Sequence, residues 1–160
     1  MWLSPNLHLF LRLIFVTLIV VLSLVDHYTM LLPDKLTIPL LGVGLVNASL
    51  LGMHSFMLSV LSALLAGGFF WLIFIAYPQG MGMGDVKFVA ALASFLGFQS
   101  IFLAVLLASL TGTIVGGAFL LRHKSKLTQQ IPFGPYLGFG ALMALFWGDK
   151  LLALYWSFVF

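Results

Sequence analysis

The chain contains no cysteine and no glutamate, and its only acids are Asp26, Asp34, Asp85 and Asp149. Without cysteine there is no disulfide, no thiolate nucleophile and no Cys-ligated zinc or iron–sulfur cluster, whatever the compartment. Charge of either sign is scarce: 7% of the residues are charged against 62% hydrophobic. Such a composition excludes a water-soluble domain, and 160 residues are enough for several membrane crossings. The net charge of +3 carries no nucleic-acid signal, because no basic stripe interleaves with aromatics, and Lys and Arg in membrane proteins report orientation first.

What is present is apolar sequence cut by polar or Gly/Pro punctuation. The spans fall near 7–25, 37–53, 56–77, 86–98, 101–121 and 133–147, followed by an aromatic tail at 151–160. No charged region precedes the first span and no small-residue cleavage site follows it, so it reads as a retained helix and not a signal peptide. Residues 1–160 are therefore expected to form a single all-α membrane bundle of about six transmembrane helices. The spans 86–98 and 133–147 are short for a hydrocarbon core that takes about 20 helical residues. Counting every span as a crossing gathers Lys35, Lys87, Arg122, Lys124 and Lys126 on one side, which the positive-inside rule makes cytoplasmic. Small residues at 66–68, 112–117 and 138–141 mark faces for close helix packing.

Carboxylates at membrane depth are costly, so each needs a reason. Asp149, beside Lys150, reads as a solvated charge at the outer end of a span. Asp26 closes the first span and Asp85 opens the fourth, and six crossings put both at the same membrane face. Two carboxyls brought together in a low-dielectric site would share a proton, as in an aspartic peptidase where one activates water and the other protonates the substrate carbonyl. The competing reading is two separate interfacial helix caps. It suits Asp85, at a helix start, and suits Asp26 poorly, at a helix C-terminus where the macrodipole repels an anion.

Asp85 follows the run "GMGMG". Gly80, Gly82 and Gly84 are expected to give the backbone access to positive φ and to leave room for an extended peptide beside the acid. A protease needs such a strand-binding edge, although helix entry turns use Gly and Asp as well.

Three blocks, "DHYTMLLPDKLTIPLLGVGLVNA" from Asp26, "GMGMGDVKFVAALASFLGF" from Gly80 and "IPFGPYLGFGALMALFWGD" from Ile131, together resemble the catalytic part of the type IV prepilin peptidases. The resemblance implies a GxGD-type aspartic endopeptidase of the bacterial inner membrane with its site facing the cytoplasm. Asp26 and Asp85 match the catalytic pair. Asp34 matches a neighbouring loop acid that holds the loop or contacts substrate, and Lys87 either orients the site or anchors the interface. Gly82 and Gly84 belong to the motif beside the second acid. Pro132 and Pro135 of "PFGPY" are expected to bend or start the last helix, and His27, with no second ligand motif near it, reads as an interfacial side chain.

The implied partners are a prepilin or a type II secretion pseudopilin with a short basic leader, together with membrane lipid. No metal or other cofactor is implied. The bifunctional members carry an additional Cys-containing segment tied to N-methylation, and its absence from this sequence implies cleavage without methylation. Two other readings stay open: a presenilin- or signal-peptide-peptidase-like enzyme, which pairs GxGD with a YD motif inside a helix, and a transporter or assembly scaffold whose acids move protons or pair with partner helices.

Overall fold

The computed structural model describes residues 5–78, 80–123 and 132–159. Five helices follow one another: α1 (Pro5–Thr29), α2 (Asp34–Leu50), α3 (Met53–Ala76), α4 (Met83–His123) and α5 (Gly134–Val159). The all-helical class agrees with the sequence, and four segments are long and apolar enough to cross a membrane: Asn6–Thr29, Met53–Ala76, Met83–Ala118 and Gly134–Leu154. The basic loop after α4, from Lys124 to Ile131, lies outside the described residues.

The fourth and fifth spans of the sequence are the two halves of α4, which join at Gly97, where φ is 77° and ψ 171°. One expectation needs correction: the 151–160 tail is no separate element, because α5 runs unbroken through Asp149 and Lys150 to Val159. Both residues are exposed on its surface, and nothing in "GDK" removes a backbone donor or forces a turn.

The break at Gly97 reverses the chain. From residue 85 to residue 95 the first half of α4 keeps pace with its neighbours: Ala90 packs against Gly67, Ser94 against Gly44, and the Phe95 ring stacks on Phe15 with centroids 4.0 Å apart. After Gly97 the second half runs back antiparallel to α5. A Cβ placed on Gly148 would lie 3.9 Å from Ser100 Oγ, one on Gly140 would lie 3.1 Å from Ala108 N, and one on Gly112 would lie 3.6 Å from the Tyr136 ring. Gly134, two residues from Tyr136, touches Asp26. Gly112 and Asp26 are thus at the same end of the bundle, although a straight α4 would separate residues 85 and 112 by roughly 40 Å at ~1.5 Å per residue.

A φ of 77° combined with an extended ψ is a conformation essentially restricted to glycine. A side chain at Gly97 would meet no neighbouring atom within 4 Å, so the obstacle there is the backbone alone. Gly97→Ala is expected to cost about 1–3 kcal/mol, measurable as a lowered unfolding midpoint in detergent, while Gly117→Ala, also in open space on α4 but without a positive φ, should change stability far less.

The first half of α4 is the centre of the bundle. Phe88, Val89, Ala91, Leu92 and Ala93 are all buried, so this segment is enclosed on every face, as an all-round apolar helix must be. α2 and α3 pack directly against it, and α1 reaches it through the Phe15–Phe95 stack. Small residues allow the approach: a Cβ on Gly67 would lie 2.9 Å from Ala90 Cβ, and one on Gly44 would lie 2.9 Å from the Phe95 amide nitrogen. Ser94 is buried in this seam, donates to the Ala91 carbonyl at 2.7 Å, and has its own carbonyl bonded by the Ser59 hydroxyl. Outward-facing Leu, Phe and Ile side chains such as Leu64, Phe69 and Leu72 remain exposed, as on a surface that meets lipid.

Candidate active site

The two acids singled out from the sequence come from helices separated by more than fifty residues and meet at one end of the bundle. Asp26 lies in the last turn of α1, three residues before its end, with 5% of its surface exposed. Asp85 lies in the first turn of α4, half-buried, at the end of the bundle that Asp26 occupies, because Leu32, six residues after Asp26, packs on Gly84.

Each carboxylate is held by one backbone donor. The Gly134 amide, at the first residue of α5, donates to Asp26 Oδ2 at 2.8 Å. This contact answers the question of how an acid persists at the negative end of its own helix: it sits at the positive end of another, where N–H groups have no intrahelical partner. The Gly82 amide donates to Asp85 Oδ2 at 3.3 Å, the reach-back of a capping box in which the third helical residue bonds the residue before the helix. Asp85 therefore does serve as a cap, and capping and proximity to Asp26 coexist.

The glycines before Asp85 act differently from the expectation. Among the described residues the glycines with positive φ are Gly52 and Gly97, and Gly80, Gly82 and Gly84 are not among them. Gly84 is required for space: a Cβ there would stand 2.8 Å from Leu32 Cβ. Gly82 is open, a Cβ there having Asp85 Oδ2 at 3.5 Å as its nearest contact, and Gly80 lies beneath the Tyr77 ring.

The loop from Met30 to Pro33 is what presses on Gly84. Met30 ends α1 with φ 54°, an unusual value for a bulky residue, and the chain turns so that Leu32 covers the start of α4. Asp34, the first residue of α2, then receives Lys87 Nζ on both carboxylate oxygens at 2.7 and 2.8 Å. Lys87 and Asp34 thus join the starts of α4 and α2, and Asp34 has a loop-holding contact. The pair is 42% and 55% exposed, so its contribution to stability is small. Asp34→Asn is expected to change unfolding stability by under about 1 kcal/mol, a shift that vanishes in high salt when melting is followed in detergent.

His27 is exposed and packs edge-on against the Tyr28 ring at 5.3 Å. Among the described residues no three His, Asp or Glu side chains cluster closely enough to hold a metal ion. Pro135 stands in the first turn of α5, where its missing N–H is not needed, and Pro132 precedes the helix. Gly134, between them, was missed by the sequence reading. A glycine between two prolines at a helix start is its signal, but the partner lies 108 residues away.

A sequence model of the type IV leader peptidase family matches residues 13–117, which include both acids and the loop between α1 and α2. The chain belongs to the type IV leader peptidase family. It is 36% identical over 160 residues to a prepilin leader peptidase/N-methyltransferase of Aeromonas hydrophila, covering 97% of this chain and 55% of that protein. A protein of the same description from Pseudomonas aeruginosa is 37% identical over 143 residues, covering 86% of this chain and 49% of its own length. The chain thus spans about half the length of these relatives. No solved structure matches it.

Proposed function

We propose that the protein is an aspartic endopeptidase that removes the leader of a prepilin or type II secretion pseudopilin, with Asp26 and Asp85 as its catalytic pair. The observation that carries this reading is that two acids, from α1 and α4, lie at the same end of a membrane bundle, in a chain of the leader peptidase family. Two carboxyl groups sharing one proton supply both halves of peptide hydrolysis. The ionised carboxylate takes a proton from water as its oxygen attacks the scissile carbonyl carbon, and the protonated one gives its proton to the carbonyl oxygen. Collapse of the tetrahedral intermediate then breaks the C–N bond, with a carboxyl proton passing to the leaving amine.

Substrate approach fits the same end of the bundle. Gly82 leaves main-chain space beside Asp85 for an extended peptide. If the two halves of α4 are separate passes, the chain crosses six times, and Lys35 and Lys87 lie at the dyad end. The positive-inside rule puts that end in the cytoplasm, where a basic leader would wait while the apolar pilin helix stays in the inner membrane. A Ser125→Cys variant of this Cys-free chain should be labelled from the cytoplasmic side, and labelling only from the periplasm would overturn the topology.

Asp26 follows Val25 and not the Tyr of a YD motif, and the Met30–Pro33 loop begins four residues after it, which favours the prepilin peptidase type over the presenilin type. Reconstitution in liposomes with a prepilin, reading the mature N-terminus by mass spectrometry, tests the function. Cleavage after the leader is the expected result. An intact prepilin, with the chain inserted and folded, would favour the transporter or scaffold reading.

A further inference from the structure

We infer that Gly134 is a positioning residue for Asp26: its amide fixes the rotation of the carboxylate, and its lack of a side chain makes room for it. The inference rests on the peptidase reading above and lies in a part of the chain beyond residue 117, where the family match ends.

Gly134 begins α5, so its N–H has no carbonyl one turn back in its own helix to bond. It turns instead to Asp26 Oδ2, at 2.8 Å in a buried setting. The neighbouring Pro135 has no N–H and offers no competing donor. Binding one oxygen stops the carboxylate from rotating. The other, Oδ1, accepts no hydrogen bond among the described residues and is left for the shared proton and the attacking water.

The steric side is equally specific. A Cβ at position 134 would lie 2.6 Å from Asp26 Oδ2, 2.9 Å from Cγ and 3.0 Å from Cβ. Even alanine would therefore displace the carboxylate or the helix start. One turn further along α5, Gly138 is crowded against α1 in a comparable way, with a Cβ there 3.2 Å from Ile19 Cγ2 and close to Ser23 as well. Position 138 touches no carboxylate, so the two glycines separate an effect on Asp26 from an effect on α1–α5 packing.

The test uses the full chain in liposomes with a prepilin substrate. Gly134→Ala should lower kcat by about 100-fold, the scale of an ångström-level misplacement of a reacting group, with KM nearly unchanged. Gly138→Ala should keep kcat while losing stability. Equal kcat losses in the two variants, or wild-type kcat in Gly134→Ala, would overturn the inference.

Amide hydrogen exchange needs no variant at 134 and decides the matter if Gly134→Ala fails to fold. The Gly134 amide should exchange slowly in the wild-type protein and faster in Asp26→Ala, and identical rates would refute the bond. A folded wild-type chain that leaves prepilin uncut would instead refute the peptidase reading, with the exchange result still reporting whether Gly134 holds Asp26.

Discussion

Asp26→Asn and Asp85→Asn are each expected to lower prepilin cleavage on the order of 10⁴-fold or more, and the double variant to be scarcely worse than either. The reason is that one carboxyl without the other cannot both take a proton from water and give one to the carbonyl oxygen, so the pair acts as a unit. Asparagine keeps the size of each side chain and can still accept from Gly134 or Gly82 through its amide oxygen, so the helix contacts survive. Asp34→Asn, which breaks only an exposed ion pair with Lys87, should keep most of the activity. Initial rates on one prepilin substrate, with insertion and melting checked for every variant, give the comparison. Near wild-type cleavage by either single variant would remove that residue from the dyad, and Asp34 would be the next acid to examine.

The acids were legible in the sequence because the bilayer makes carboxylates rare. With four in the chain, parity of the spans was enough to bring Asp26 and Asp85 to one face. The same scarcity made Asp34 and Lys87 conspicuous, but their pairing across 53 residues has no periodic signature and appears only when the loop after α1 folds over α4. Hydropathy also located the break near residues 98–101, and counting 86–98 and 101–121 as separate crossings anticipated that the chain turns back there. The reversal itself depends on the φ and ψ of a single residue, Gly97. At the other extreme, "GDK" in α5 looked like an end because it is charged, whereas a helix ends where capping or a breaker stops it. Gly134 was illegible for a different reason: its role consists of an amide and an empty space, and neither is encoded by a side chain.

Valine at Gly84 and at Gly82 should fail in different ways. At Gly84 the added Cβ meets Leu32 Cβ at 2.8 Å, an atom fixed to the backbone that no rotamer change can move away. The Met30–Pro33 loop must then lift from the start of α4, and the turn carrying Asp85 must shift with it. Gly84→Val is expected to lose about 1–3 kcal/mol of stability, the scale of overpacking, and about 100-fold in turnover through misplacement of Asp85. At Gly82 a Cβ makes only ordinary contacts, the nearest being Asp85 Oδ2 at 3.5 Å, and valine retains the N–H that caps Asp85. Gly82→Val should therefore lose no more than about 1 kcal/mol of stability, the scale of a poorer residue before the helix, and any larger loss of turnover must come from the space it removes. If the extended substrate lies along this segment, that loss will appear in kcat/KM for prepilin. Unchanged kcat/KM in Gly82→Val would exclude this route for the substrate, and unchanged stability in Gly84→Val would exclude close packing of Leu32 on the turn before the second acid.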